Sequence, residues 1–282
     1  MLNREDVKRM LTDLFRTELA RWRKDVLDSF DDESEDLWHK MPMDVKKISD
    51  EQAAKMFGYA PRSFSTLDNM TDYAYASYLK HQQILFFPSS AIGSSHAYEH
   101  TTQSIWEEAR ALAPLFTGVK RIVSLVPANH LYGFMLTIVL RHILQVPVIC
   151  LPALATQPWD ALLQGGDLMV GFPAFWDDWL RCENRFPAGI QVVSSMTPCR
   201  DEIIKGLQAA GAAHFTEIYG SSEIGIIAVR NQAESPFEIL PFWDVSRKGS
   251  APLIKRSTST RWFALPDAVS MVKDRFFHLN SR

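Results

Sequence analysis

The chain has 282 residues, 46% of them apolar, enough to bury a sizeable core in one large domain or two modest ones. Thirty Lys and Arg against 33 Asp and Glu leave a net charge of -3, which gives no electrostatic footprint for nucleic acid. The three cysteines, Cys150, Cys182 and Cys199, lack CxxC spacing, which argues against a disulfide framework or zinc site and for a reducing, cytoplasmic setting.

The opening "MLNREDVKRMLTDLF" lacks the apolar stretch of a signal peptide, and no run in the chain reaches the ~18 apolar residues of a membrane span. Val7, Met10, Leu11, Leu14, Phe15, Leu19, Trp22 and Val26 recur at spacings of three and four, which predicts an amphipathic helix over 3–30. The acidic run "DDESEDLW" then ends it as a solvated connection. Residues 1–57 are expected to form a helical lead segment and 58–282 the core domain. From 70 onward apolar runs alternate with helical patterns. "QILFFP" is followed by a helix over 97–116, and "RIVSLVP" by one over 131–144. "VPVICLP", "DLMVGFP", "IQVVSS" with a helix over 200–210, and "HFTEIYG" complete the series. This alternation predicts an α/β fold, with largely parallel sheets flanked by helices.

In open α/β sheets ligands bind at the carboxyl ends of the strands, so the loops there carry the chemistry. "FFPSSAIGSSH" at 86–96 either cradles an anion through its backbone N–H groups or is a plain strand-to-helix connection with Ser95 as N-cap. Neither GxxxxGK[ST] nor GxGxxG occurs, which disfavours a Walker-type NTPase or a Rossmann dehydrogenase. "IYGSSEIG" at 218–225 is richer. Tyr219 offers a ring to a flat base and Gly220 close backbone approach, Ser221 and Ser222 offer hydroxyls to a phosphate, and Glu223 a carboxylate to Mg²⁺.

Several blocks in order resemble the adenylate-forming superfamily of acyl- and aryl-CoA ligases, of the 4-coumarate–CoA ligase type, over about 70–282. "FFPSSAIGSSH" stands where that family has TSGSTGxPK, and "VPANHLYGFMLTIVLRHILQVPVI" where it has a histidine, a glycine and a long helix. "VVSSMTPCRDEI" matches the SGGAPL block, "EIYGSSEIGIIAVR" the YGSTE block, and "FALPDAVSMVKDRFFHLNSR" the aspartate, strand and hinge. The resemblance implies that ATP activates a carboxylic acid, aryl or fatty, to an acyl-adenylate, which passes to CoA or to the phosphopantetheine of an acyl carrier protein. It implies that Tyr219 borders adenine, with Gly220 and Ser221 beside it. Ser222 would contact the α-phosphate, and Glu223 would bind Mg²⁺. Met196, Thr197 and Pro198 would form the adenine platform and Asp267 would hold the ribose. Ser89, Ser90, Gly93 and His96 would meet phosphates, Arg282 would be the hinge arginine, and His130 would lie beside the carboxylate. His130 also reads as structural.

The departures from the family pattern matter as much. One glycine, two hydroxyls and the lysine are missing from the phosphate loop, and a neutral His96 clamps pyrophosphate less well than a lysine would. His96, Glu99 and His100 carry a metal-like spacing but read as helix surface. The family's small C-terminal lid domain is expected to be absent after Arg282. The chain is therefore expected to be a ligase when completed by such a domain, with a non-catalytic adenylate-binding or scaffolding relative as the alternative. Phe172, Phe175 and Trp176 of "GFPAFWDDW" read equally as acid-pocket lining and as core.

Overall fold

Met10, Leu11, Leu14, Phe15 and Leu19 form one buried stripe along α1 (Arg4–Trp22), where the apolar spacing of the sequence places them. The computed structural model describes residues 1–22, 38–39, 41–87, 97–151, 156–247 and 252–280. The acidic run at 31–37, the serine-rich loop at 88–96 with Ser89, Ser90, Gly93 and His96, and Arg282 lie outside the described residues.

The chain divides into two units. The first comprises Met1–Trp106 and Pro127–Val139. In it α1 packs on α2 (Met43–Phe57) and α3 (Leu67–His81). Helix α2 stops at Gly58, whose φ of 72° is the left-handed cap that glycine adopts without strain. Helix α3 starts on Thr66, whose side chain accepts the Asn69 N–H. Strands β1 (Gln83–Phe86) and β2 (Tyr98–Thr101) pair antiparallel as a sheet of their own.

Strand β2 corrects the sequence reading, which ran a helix from 97 and set the serine-rich loop directly before it. Tyr98–Thr101 alternate in burial and pair with β1, and helical packing begins with α4 (Thr102–Leu112), where Ile105, Ala109 and Leu112 are buried. The loop therefore joins two antiparallel strands, and no helix N-terminus follows it. The reading of Glu99 and His100 as helix surface falls with it: both lie on β2, and His100 is buried with its ring 5.9 Å from that of Phe86.

The second unit comprises Glu107–Val126 and the chain from Leu140 onward. Its nine-stranded sheet is built from β3 (Arg121–Ser124), β4 (Val148–Cys150), β5 (Asp167–Gly171), β6 (Gln191–Ser194), β7 (His214–Ser221), β8 (Gly225–Arg230), β9 (Phe237–Ile239), β13 (Val269–Lys273) and β14 (Phe276–Leu279). The order is β13-β14-β9-β8-β7-β6-β5-β3-β4. From β4 to β7 every pair is parallel, and beyond β7 every pair is antiparallel. The α/β class is as expected, and the sheet is mixed. Its change of direction falls at β7, the strand that carries Tyr219. A separate antiparallel sheet holds β10 (Trp243–Ser246), β11 (Leu253–Arg256) and β12 (Phe263–Ala264).

Strands β5 and β6 are buried at every position, as strands covered on both faces must be. Against them lie two of the unit's helices, Pro173–Arg181 and Asp201–Ala209, which bring Phe175, Trp176, Trp179, Ile203, Ile204 and Leu207 into one apolar cluster. A Cβ on Gly171 would lie 2.4 Å from Trp176 Cζ2, so the strand's end is shaped to the indole. Phe175 and Trp176 are closed core residues, which decides against the pocket reading for both.

Candidate functional site

The residues that the sequence singles out are distributed between the two units. His130 belongs to the first, where it stands immediately before the helical turn Leu131–Phe134. Burial, and then the charge of Arg21, push its imidazole down to about 4, so it is neutral at physiological pH. The helix it begins continues as a π turn over Met135–Val139. Arg9 donates to the Thr137 carbonyl at 2.9 Å and to its hydroxyl at 2.8 Å, supplying partners where the wider turn disturbs the backbone ladder.

The second unit gathers the rest. A small pocket of about 60 Å³ opens at the carboxyl ends of β6 and β7, lined by Ser195, Met196, Thr197, Pro198, Glu217, Ile218, Tyr219, Gly220, Asp267 and Leu279. Six expected site residues from three separate segments of sequence therefore share one cavity. It adjoins a broader cleft of about 940 Å³ that shares Met196–Pro198, Asp267 and Leu279 and extends to Arg230, His278 and Asn280.

Each wall has a local cause. The turn after β6 passes through Met196 at φ 81°, a left-handed conformation unfavourable to a methionine, with the side chain 51% exposed. The turn is held from below: Ser195 Oγ donates to the Ile218 carbonyl at 2.8 Å, and the Cys199 N–H donates to Glu217 Oε1 at 2.7 Å. Burial pushes the Cys199 thiol up to about 12, which makes it inert as a nucleophile.

Tyr219 borders the pocket from β7. Its ring packs edge-on against Phe277 and tilted against Phe237, with centroids 5.4 and 5.7 Å away. Its hydroxyl donates to Asp267 Oδ2 and accepts the Asp267 N–H, both over a long 3.3 Å. Burial first, then the Asp267 charge, raise the phenol well above its ordinary value, so it stays protonated and able to donate. A shift of register between Tyr219 and Gly220 sets the strand's last residues askew, a bulge that re-aims side chains. A Cβ on Gly220 would meet the Gly225 carbonyl oxygen at 2.4 Å, so no larger residue fits between the two strands.

Ser222 and Glu223 lie on the turn between β7 and β8, and neither lines the pocket or the cleft. Ser221 Oγ accepts the Ile224 N–H at 3.2 Å and so shapes that turn, while Glu223 projects exposed from its tip. Among the described residues no cluster of three or more His, Cys, Asp or Glu could hold a metal. A single exposed carboxylate nevertheless suits Mg²⁺, which keeps waters and substrate phosphates as its other ligands. No helix among the described residues is long and apolar enough to cross a membrane.

The sequence reading overlooked two buried charged pairs. Glu217 faces Arg230, whose Nε donates to Glu217 Oε2 at 2.6 Å. Glu108, on α4, accepts the Ile226 N–H at 2.9 Å and pairs with Arg256. The signal was present in "TEIYG" and "AVR": a charge inside a buried strand requires a partner.

The mixed sheet flanked by helices matches in fold the N-terminal domain of adenylate-forming enzymes. The ATP-bound MatB of Rhodopseudomonas palustris superposes with a TM-score of 0.59 at 13% identity, over 69% of this chain and 47% of that one. The inhibitor-bound N-terminal domain of FACL13 from Mycobacterium tuberculosis gives 0.59 at 16%, over 70% and 60%. No family model matches the sequence. A 4-coumarate–CoA ligase of Rhodobacter capsulatus is 33% identical over 184 residues, 61% of this chain and 47% of that protein. Another, of Cereibacter sphaeroides, is 29% identical over 160 residues, 55% and 39%. The chain is thus similar in sequence to these 4-coumarate–CoA ligases and in fold to these solved structures, and it spans less than half the length of the curated relatives.

Proposed function

We propose that the pocket at the ends of β6 and β7 is a nucleotide site and that the protein takes part in ATP-dependent activation of a carboxylic acid to its acyl-adenylate. The observation that carries this reading is the convergence of the 196–198 turn, Tyr219 and Asp267 on one cavity. The adenine would lie between the Met196–Pro198 backbone and Tyr219, whose hydroxyl fixes the Asp267 carboxylate for the ribose. Ser222 would donate to the α-phosphate. Glu223 would hold Mg²⁺, which when bound neutralises phosphate charge. CoA or a carrier-protein phosphopantetheine would be the acceptor, and aryl or fatty acids the substrates.

Calorimetry with AMP, ATP and a non-hydrolysable acyl-adenylate analogue tests the site. The analogue is expected to bind most tightly, because the adenine and ribose positions follow the family pattern while the β,γ-phosphate loop lacks its lysine. Tighter binding of ATP than of the analogue would refute that order, and no binding of any of the three would refute the nucleotide site. Glu223→Gln is expected to weaken Mg²⁺-dependent nucleotide binding while changing stability by less than about 0.5 kcal/mol, since an exposed turn carboxylate contributes little to folding. A variant that melts early, or binds Mg²⁺–ATP like the parent chain, would make Glu223 a structural residue.

A further inference from the structure

The platform turn carries a strained Met196, exposes Met196, Thr197 and Pro198 and enters the apolar core at Cys199, yet it must keep a fixed backbone if a planar base is to be read against it. What fixes it is charged and buried. Glu217 has 3% of its side chain exposed, and Arg230 has 11%. One carboxylate oxygen accepts the Cys199 N–H at 2.7 Å, and the other accepts Arg230 Nε at 2.6 Å. Arg230 in turn donates through Nη2 to the Cys199 carbonyl at 2.7 Å and through Nη1 to Asp201 at 3.0 Å.

Both backbone groups of Cys199 are thereby gripped by one ion pair. The grip runs from the end of the turn to two adjacent strands, β7 and β8. A hydrophobic pair of the same size could fill this volume, but it would satisfy neither backbone group.

We infer that Glu217 and Arg230 are positioning residues that lock the 196–199 turn into the shape that selects the base, an inference resting on the nucleotide reading of this pocket. Neither is offered as a group that reacts. Their product is a rigid edge against which a purine's polar atoms are registered. Loss of the pair is expected to cost base selectivity as well as affinity.

The test uses the full chain and three variants. Glu217→Met removes the grip, Glu217→Gln keeps a neutral acceptor, and Glu217→Met/Arg230→Met removes both charges so that no stranded guanidinium unfolds the protein. In the nucleotide-free chain, the Cys199 amide is expected to exchange about ten-fold faster in Glu217→Met, the equivalent of one lost buried hydrogen bond, while the amides of β5 keep their parent rates. In titrations, AMP affinity is expected to fall about ten-fold and the preference for AMP over GMP to narrow, with Glu217→Gln restoring much of both. The double variant should behave like Glu217→Met at the turn and melt no lower. Unchanged exchange at Cys199 would overturn the inference, as would parent-like AMP affinity and selectivity in Glu217→Met. If the parent chain itself takes no AMP, the nucleotide reading fails, and the exchange experiment alone decides whether the clamp exists.

Discussion

Arg256→Ala is expected to destabilise the second unit by about 3–5 kcal/mol at pH 8.5, because it leaves a buried carboxyl without its cationic partner and so forces it to stay protonated. Glu108 has no exposed side-chain surface, and Arg256 is its cationic partner. The same guanidinium lies 4.5 and 4.6 Å from the ring centroids of Phe242 and Trp243, so its removal also empties a packed cation–π site. Burial is the dominant influence on Glu108 and raises its carboxyl to about 7 even with Arg256 in place. Its contribution to stability is therefore full below the unfolded value of ~4.3 and is lost as the pH rises through 7.

Removing the guanidinium raises the carboxyl further, and this gives the variant a distinct pH signature. At pH 5.5 Glu108 is protonated with or without Arg256, so only packing and hydrogen bonds are lost, about 1–2 kcal/mol. Above pH 7 the parent chain ionises against its partner and the variant cannot, which adds about 1.4 kcal/mol per pH unit. Urea denaturation at pH 5.5 and 8.5 should show the gap between parent and variant widening by about 2 kcal/mol. Glu108→Gln/Arg256→Met should close most of it. An equal gap at both pH values would mean that the charge of Glu108 plays no part.

The sequence exposes the fold wherever burial and periodicity coincide. The α1 stripe could be read from the spacing of its one buried face, and β5 and β6 from short apolar runs that are buried throughout. Strand β2 could not, because "YEHT" is short and half polar and gains its identity from pairing with β1 across a serine-rich loop. The antiparallel half of the sheet was likewise hidden, since strand direction depends on which neighbour a segment meets.

At the candidate site, six of the ten residues that line the pocket were legible through motif order: Met196, Thr197, Pro198, Tyr219, Gly220 and Asp267. The residues that brace it were not. Glu217 and Arg230 are thirteen positions apart, and Glu108 and Arg256 are separated by 148. No local pattern links two members of an ion pair that only the fold brings together. What sequence does supply is the anomaly of a charge in an apolar strand, which predicts that a partner exists without naming it.

Gly225→Ala is expected to cost about as much as losing Arg256, for a reason that joins the SSE turn to the buried pair. Gly225 opens β8 at φ 97°, where an alanine is strained by about 1 kcal/mol or more. Its Cβ would stand 2.5 Å from Glu108 Oε1 and 2.9 Å from Oε2, and neither oxygen is free to retreat. One is held by Arg256, the other by the Ile226 N–H at 2.9 Å. Either the carboxylate withdraws, leaving the Ile226 amide unsatisfied and Arg256 with Glu107 as its remaining carboxylate, or the turn carrying Ser222 and Glu223 shifts outward. Overpacking of this kind adds about 1–3 kcal/mol to the backbone strain. Gly118→Ala separates the two contributions, since Gly118 has φ 75° but nothing within 4 Å of an added Cβ, and should show the strain alone. The two defects at Gly225 and Arg256 act on one carboxylate, so their losses should fall short of additive by at least about 1 kcal/mol in the double variant. If Glu108 is the link between the turn and the sheet, Glu108→Ala should relieve the clash and make Gly225→Ala scarcely worse than Gly118→Ala; full additivity, with no relief from Glu108→Ala, would sever that link.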